Sequence, residues 1–244
     1  MKFLKVCVLF IVNFSVLFAG GYKIPANSIE SIATAGASVA SANGANSSYY
    51  NPANMIFDNS SDQEIEFGLS GIYLSSVEFE SSASPVLSDK AHDEFAVFPN
   101  FYYISKPYGD LRYGLSIVSP VGISKRWDGA LSKLTANDSQ LRTLEANPSV
   151  SYKINDNFAI GGGVSVIAGK IYMKNDSGDL YNIHLAPAYI FQEYKGNATD
   201  FGYNLALTYK NVDYKLSATY RSKVNLHFDG DSTIAIQNRN MGVL

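Results

Sequence analysis

The chain has 244 residues, a formal net charge of -3, and 13% aromatic side chains, with 17 Tyr, 14 Phe and 19 Gly. Aromatic residues and glycine favour strands and tight turns, so this composition argues for an all-β protein and against a helical one. The basic residues are too few and too dispersed for a nucleic-acid-binding protein.

The first 19 residues predict a secretory signal peptide, because two lysines precede the short apolar run "VCVLFIVNFSVLFAG". Leu17 and Ala19 fit the cleavage positions and place the mature start near Gly20. An uncleaved membrane anchor is the alternative, although no longer apolar run follows. The single cysteine, Cys7, lies within this segment. The mature chain would therefore be held together without disulfides, by a large core or a closed hydrogen-bonded barrel.

Residues 20–60 form a segment rich in Ala, Ser, Gly and Asn that closes on the run "SSYYNPANM". Its few apolar residues allow one or two short helical turns, and it should be disordered alone or packed inside a larger structure. Pro52 lacks an N–H and restricts Asn51 to extended geometry, so the chain must turn there. The Asn51 amide can then bond polar groups of an inner wall. The alternative is an ordinary Asn-Pro turn between a linker and a strand.

From Asp62 onward the sequence alternates with a period of two residues, in segments of about ten residues separated by turn-forming clusters. Apolar and aromatic side chains occupy one face, and small or polar side chains occupy the other. Seven strands are predicted, at residues 64–79, 95–105, 111–119, 144–154, 158–174, 201–210 and 214–228.

This pattern predicts an antiparallel transmembrane β-barrel of the outer-membrane type. The apolar face repeatedly ends in tyrosine, as expected for an aromatic girdle: Tyr73, Tyr103, Tyr152, Tyr209 and Tyr220. Short turns also alternate with two longer loops, at residues 80–93 and 124–140, and the second loop can form a short helix through Leu131 and Leu134. A secreted soluble sandwich, whose strands alternate in the same way, is the alternative.

The N-terminal segment resembles the start of the FadL/TodX family, outer-membrane channels for long-chain fatty acids and other hydrophobic compounds. The resemblance rests on a Gly-aromatic opening, a Ser/Ala/Gly run and the closing "YYNPANM", and on the later stretches "FPNFYYISK", "YGLSIVSPVGISKRW" and "LSATYRSKVNLHFDGD". It implies a 14-stranded barrel plugged by a hatch of short helices that ends at an Asn-Pro-Ala motif. It assigns hatch or gating roles to Gly21, Tyr22, Asn51, Pro52 and Ala53.

A second candidate site lies at Ser119, Pro120 and Gly122. Proline removes a donor from the strand ladder and glycine allows a bulge, so the wall could be locally open there. The resemblance implies a lateral opening at this strand, through which a hydrophobic substrate leaves into the bilayer. The alternative is that the strand ends at Ser119.

The resemblance implies passive uptake of long-chain fatty acids or aromatic hydrocarbons by a protein surrounded by outer-membrane lipid. No cofactor and no nucleic-acid partner are expected. Lys125 and Arg126 are candidates for contacting a carboxylate, or are simply solvated loop cations. The alternative functions are a structural or adhesive surface protein and a non-functional truncated product.

An enzyme is not expected. The three histidines, His92, His184 and His227, are scattered and have no cysteine or carboxylate at metal-ligand spacing. The sequence also contains no nucleophile elbow, P-loop or dinucleotide-binding fingerprint. A hydrolase with its site on the barrel rim is therefore the least favoured alternative.

Seven strands make only half of the family's barrel, and open sheet edges cannot face lipid. The last residue, Leu244, is not the terminal aromatic that outer-membrane barrels offer to the barrel-assembly machinery, as the resemblance implies. The sequence therefore predicts an incomplete barrel of about seven of fourteen strands, with residues 1–19 as signal peptide, 20–60 as hatch and 61–244 as partial barrel. A fragmentary chain is the favoured explanation, and closure by homo-oligomerisation is the second.

Overall fold

A computed structural model describes residues 23–24, 27–82 and 84–238. The predicted signal peptide, Gly21 and Tyr22 lie outside these residues. The described chain is dominated by one antiparallel sheet of nine strands, with a separate two-stranded ribbon. None of the described helices has the length and apolar character needed to cross a membrane.

The short helices are concentrated before the sheet. They are α1 (Ile29–Ala33), α2 (Ser38–Ser41), α3 (Ser47–Tyr50) and the 3-10 helix η1 (Pro52–Phe57), with η2 (Pro85–Leu87), α4 (Ala130–Ala136) and α5 (Gly178–Asn182) in later loops. The strands are β1 (Glu64–Leu74), β2 (Glu78–Phe79), β3 (Asp89–Lys90), β4 (Glu94–Ile104), β5 (Leu111–Val118), β6 (Gly122–Arg126), β7 (Asp138–Lys153), β8 (Phe158–Asp176), β9 (Ala188–Lys210), β10 (Lys215–Arg221) and β11 (Asp229–Asn238).

The main sheet follows chain order, β1-β4-β5-β7-β8-β9-β10, with β6 paired to β7 and β11 paired to β9. Both β5 and β6 pair with β7, and both β10 and β11 pair with β9, so each of these two pairs forms one crossing of the sheet, which we call a span. The sheet therefore has seven consecutive spans in chain order, each antiparallel to the next. Within the described residues, β1 forms one edge and β10 with β11 the other. This architecture confirms the predicted all-β, antiparallel and incomplete barrel.

The two faces of the sheet differ as the alternating pattern predicts. On β9, Leu205 and Phe201 point outward with 57% and 73% of their surface exposed, whereas Asn204 and Thr208 point inward and are buried. The outward apolar side chains contact one another along the sheet, as Phe158 and Tyr209 do, but stay largely exposed, and the inner face is built mainly from small and polar residues. This is the division expected of a barrel with a lipid-facing exterior and a polar lumen.

The strand boundaries differ from the sequence prediction in several places. The third span continues past Ser119 as β6, and the fourth begins at Asp138 rather than residue 144, so both extend into the predicted loop at residues 124–140. The sixth span begins at Ala188 rather than residue 201, because β8 and β9 extend beyond the alternating region as a long hairpin. The first strand ends at Leu74, and residues 78–79 instead pair with β3. The seventh span breaks after Arg221 and resumes at Asp229.

Residues 27–58 of the N-terminal segment pack on the inner face of the sheet. Ser28 starts α1 by accepting a hydrogen bond from the Ser31 N–H, as an N-cap residue does. The segment buries mainly small and amide side chains, including Ser47, Ser48 and Asn46. The predicted helical turns are present, and the segment is buried because it packs against the inner face of the sheet, which forms the barrel wall.

Candidate functional site

The Asn-Pro-Ala run sits where the N-terminal segment meets the wall. Asn51 has an extended backbone, with φ -158° and ψ 91°, and Pro52 starts η1 directly after it. The Asn51 side-chain oxygen accepts a hydrogen bond from the Ala53 N–H at 3.1 Å. Its amide nitrogen donates to the Val39 carbonyl at 2.7 Å and to Thr208 Oγ1 at 3.0 Å. Asn51 therefore joins α2, η1 and strand β9 through one fully buried side chain.

Asn54 completes this polar junction. Its amide nitrogen donates to the Ala42 carbonyl at 3.0 Å, and its oxygen accepts from Thr208 Oγ1 at 2.8 Å. Thr208 lies 2.8 Å from Ser217 Oγ on the neighbouring span. Asn51, Asn54 and Thr208 are buried, so a polar group that loses its last partner here costs free energy.

Two inward glycines make room for the segment. A Cβ on Gly161 would overlap the Ala53 nitrogen and lie 2.6 Å from the Pro52 carbonyl carbon. A Cβ on Gly114 would lie 2.5 Å from Met55 Sδ and 2.8 Å from Ser48 Cβ. The missing side chain of Gly161 therefore makes room for the backbone of Pro52 and Ala53, and that of Gly114 makes room for the side chains of Ser48 and Met55.

A buried arginine anchors the end of the segment to the wall. Arg112, on β5, is 1% exposed and forms an ion pair with Asp58 at 3.2 Å. The same guanidinium donates to the carbonyls of Ser105, Met55 and Asp62 at 2.7, 2.9 and 3.0 Å. These contacts use the planar fork of donors that distinguishes arginine from lysine.

A second arginine holds α3 from the seventh span. Arg221 pairs with the buried carboxylate of Glu145 at 2.5 Å, donates to the Tyr49 carbonyl at 3.0 Å and stacks over the Tyr49 ring at 4.4 Å. Burial raises the pKa of the Tyr49 hydroxyl well above its ordinary value, although the Arg221 cation partly opposes this. The Tyr49 hydroxyl therefore stays neutral. Arg221 holds α3 in place through its contacts with the Tyr49 carbonyl and ring.

The wall is interrupted at the second candidate site. β5 ends at Val118, opposite Glu145, and pairing with β7 resumes at Gly122, opposite Arg142, so three residues lie opposite two. Thr143 fills this bulge: its hydroxyl accepts from the Val121 N–H at 3.1 Å and donates to the Val121 carbonyl at 2.6 Å. The third strand is therefore broken but not ended at Ser119.

The break also separates the second span from the third. β4 and β5 pair only over residues 101–104 and 114–117, although β4 begins at Glu94. Across the described residues, no ladder joins the first half of β4 to the third span. The two spans meet again where the His92 N–H donates to the Arg126 carbonyl at 2.9 Å. A gap in the wall hydrogen bonding thus lies beside Pro120.

The start of the described chain lies in this gap. Lys23 forms an antiparallel bridge with Val121, and the Ile24 N–H donates to the Pro120 carbonyl at 2.9 Å. Side chains of Ile24 and Phe98 lie 3.4–3.6 Å from the position of a Cβ on Gly122. The structure thus brings the N-terminal segment into contact with both candidate sites.

The two candidate carboxylate-binding cations already have protein partners. Lys125 Nζ donates to the carbonyls of Ser75 and His92, each at 3.0 Å. Arg126 Nε lies 3.3 Å from Glu94 Oε1, with about half of the arginine side chain exposed. Both lie at the far end of the gap from Pro120, where they tie the third span to the loop before β4.

The sequence reasoning did not identify Arg112, Arg221, Glu145, Thr208 or Gly161 as site residues. A signal was available for Glu145, which interrupts the small, polar inner face of β7 with a charge. The glycine run at residues 161–163 was likewise a signal of close backbone approach within a strand. The partners themselves lie far apart in sequence, and only the strand register brings them together.

A family profile described as "Outer membrane protein transport protein (OMPP1/FadL/TodX)" matches residues 11–243. The chain belongs to this family. The resemblance inferred from the Asn-Pro-Ala run is thereby confirmed, and the FadL/TodX family is one of outer-membrane transport proteins rather than of enzymes. The matched region includes both candidate sites.

Curated relatives of this FadL/TodX family member include two proteins named long-chain fatty acid transport protein. The one from Escherichia coli O6:H1 is 25% identical over 153 residues, 54% of this chain and 34% of the relative. The one from Salmonella typhi is 28% identical over 166 residues, 59% of this chain and 38% of the relative. The aligned region thus spans little more than a third of these relatives.

Solved structures agree on the fold. A FadL homologue from Pseudomonas aeruginosa superposes with a TM-score of 0.63 at 18% identity, covering 86% of this chain and 56% of that one. The toluene transporter TodX from Pseudomonas putida superposes with a TM-score of 0.62 at 19% identity, covering 82% and 56%. The chain corresponds to about half of each barrel.

Proposed function

We propose that this chain forms the hatch and half of the wall of an outer-membrane channel for passive uptake of hydrophobic compounds. The observation that carries the proposal is the contact of the N-terminal segment with a gap in the wall: Ile24 lies against Pro120 where the second and third spans are unpaired. A segment that plugs the lumen and also fills a side opening can couple the two. Its movement would open both together.

The proposal assigns residues 1–19 to a cleaved signal peptide, 20–60 to the hatch and 61–244 to the barrel wall. The hatch residues are Gly21, Tyr22, Asn51, Pro52 and Ala53, and the lateral opening is formed by Ser119, Pro120 and Gly122. Outer-membrane lipid surrounds the wall, and insertion depends on the barrel-assembly machinery. No catalytic step is assigned to the protein.

The substrate class follows from the chemistry of such a path. An apolar molecule gains about 25 cal/mol for each Å² that leaves water, which suffices to drive uptake without an energy source. The names of the relatives point to long-chain fatty acids or aromatic hydrocarbons. A fatty-acid carboxylate would need a cation, and Arg126 is the better candidate because half of its side chain is exposed.

A reversible cross-link tests the coupling. The double variant Lys23→Cys with Val121→Cys places a cysteine pair at the bridge between the N-terminal segment and the break, and residues 20–244 contain no other cysteine. Cells expressing the complete protein would be given labelled fatty acid and labelled toluene. Oxidation is expected to lower uptake at least ten-fold, and a reductant should restore it.

The single variant Lys23→Cys is the control, since it undergoes the same oxidation without forming the cross-link. Mass spectrometry of the digested protein reports the fraction that is cross-linked. Unchanged uptake in fully cross-linked protein would reject the coupled opening. Absence of uptake in both redox states, with surface attachment retained, would instead favour a structural or adhesive protein.

A further inference from the structure

Three cations form a patch on the outward face of the fourth, fifth and sixth spans. Arg142 on β7 lies directly opposite Lys170 on β8, and Lys195 on β9 lies one outward position further along the sheet, opposite Tyr172. Residues opposite one another in a sheet share a face, so the three side chains point the same way. We call Arg142, Lys170 and Lys195 the outer basic patch.

The patch begins where the apolar belt of the wall ends. On β8 the outward positions of the belt run from Phe158 to Ala168, and Lys170 is the next outward residue. Ten residues at about 3.3 Å each span about 33 Å along the strand, which a tilt of about 40° reduces to about 25 Å of height. This is the height of the lipid-facing band of an outer-membrane barrel, so the patch lies at one membrane surface.

The loops identify which surface this is. The connections at the Phe158 end are short, at residues 154–157 and 211–214, whereas residues 177–187 and 127–137 connect spans at the patch end. Short turns face the periplasm and long loops face the outside in outer-membrane barrels. The outer basic patch therefore lies at the extracellular end of the belt.

The local chemistry leaves positive charge available. Lys195 pairs with Glu193 at 3.0 Å, and the Tyr172 hydroxyl donates to the same carboxylate at 3.0 Å. Arg142 donates to Gln140 at 3.1 Å, and in the described part of the chain Lys170 has no ion-pair partner. The three cations, with Gln140, Tyr172 and Asn197, line a shallow depression of about 310 Å³.

We propose that the outer basic patch binds the phosphate groups of a phosphorylated lipid in the outer leaflet. Lipid phosphates lie just beyond the hydrocarbon layer, which is the height of this patch. Arginine offers a paired donor to phosphate oxygens, and a lysine stem can lie along the belt while its ammonium reaches the headgroup. The acyl chains would then cover Leu144 and Ala168, the outward residues immediately below.

Two carboxylates limit the site on one side. Asp229 and Asp231 on β11 lie opposite Asn197 and Lys195. They disfavour an anion over β11, so the headgroup is expected over β7 and β8, with Lys195 at its edge. This site is independent of the compound that the barrel transports, since it lies on the outer face of the wall.

Native mass spectrometry of the complete protein in mild detergent tests the proposal, with bis-phosphorylated lipid A as the probe. The triple variant Arg142→Gln, Lys170→Gln, Lys195→Gln is expected to bind at least ten-fold more weakly than the wild type. Dephosphorylated lipid A should bind the wild type at least ten-fold more weakly than the phosphorylated form. Equal binding of the two lipids would overturn the proposal.

A matched control removes three positive charges elsewhere, with Lys90→Gln, Lys106→Gln and Lys153→Gln. It should bind within two-fold of the wild type, and a loss equal to that of the patch variant would show a general charge effect and reject the site. Displacement of the lipid by equimolar inorganic phosphate would show a simple anion site and also reject it. If the triple variant fails to fold, Lys170→Gln should weaken binding several-fold and Lys170→Arg should not; equal effects would reject the site.

Discussion

Replacing Asn51 by alanine should release the hatch from the wall without unfolding the barrel. The substitution leaves the buried Ala53 N–H without its acceptor, which costs about 1–3 kcal/mol. It also removes the donors to the Val39 carbonyl and to Thr208, of which the first contributes about 1 kcal/mol. Thr208 retains Asn54 and Ser217, so its loss is small. The total is about 3 kcal/mol.

Hydrogen exchange of the complete protein measures this effect directly. A cost of about 3 kcal/mol corresponds to roughly a 100-fold larger open population of the hatch, because each 1.4 kcal/mol is a factor of ten. Amides of α2 and η1 should exchange faster by this factor, while those of the β7–β8 ladder should be unchanged. Under the proposed function, uptake of hydrophobic compounds should rise.

Two further variants make the reasoning refutable. Asn51→Asp keeps the acceptor for Ala53 but turns an oxygen toward the Val39 carbonyl, so it should loosen the hatch at least as much as alanine does. Asn59→Ala, an exposed position just after η1, is the control and should change nothing. Hatch exchange within three-fold of the wild type in Asn51→Ala would show that the polar junction does not hold the segment.

Three more substitutions probe the wall. Gly161→Ala should displace the hatch and accelerate its exchange, because the added methyl group overlaps backbone of the Asn-Pro-Ala run, whereas Gly71→Ala, which meets only the far end of an aromatic ring at 3.1 Å, should not. Arg112→Met should lower the unfolding free energy by about 3–5 kcal/mol, since it leaves the buried Asp58 carboxylate without its cation. A thermal unfolding scan equal to that of the wild type would contradict this anchor. Arg126→Gln should lower uptake of fatty acid several-fold and leave toluene uptake unchanged, and equal effects on both compounds would argue against a carboxylate contact.

The sheet could be predicted from sequence wherever the two faces meet different surroundings. Within the apolar belt, each span alternates with a period of two, and the seven spans were found there. Residues 188–200 gave no such signal, because this part of β9 extends beyond the belt and its apolar residues Tyr189, Ile190 and Phe191 are consecutive rather than alternating. This part of β9 forms a strand, but its apolar and polar residues do not alternate.

The candidate site could be predicted only in part, for a related reason. Proline at position 52 restricts the backbone locally, so the turn at Asn51 was predictable from neighbours in sequence. The pairing of Arg221 with Glu145 spans 76 positions and depends on the register of the three strand pairings between β7 and β10. The register also decides that Thr143 meets the break at Val121. Such long-range partners become evident only when the sheet is assembled.

The polar lining between the hatch and the wall has a consequence for motion. Amide and hydroxyl groups exchange a protein partner for water at a net cost of about 0.5–1.5 kcal/mol per hydrogen bond, because water replaces the lost bond. An apolar contact between the N-terminal segment and the wall would have to expose its whole area to water before the two could separate. Such an apolar surface would also bind the hydrophobic compounds of the proposed function. Water can thus replace the polar contacts between the N-terminal segment and the wall one at a time, which keeps the free-energy cost of separating them low.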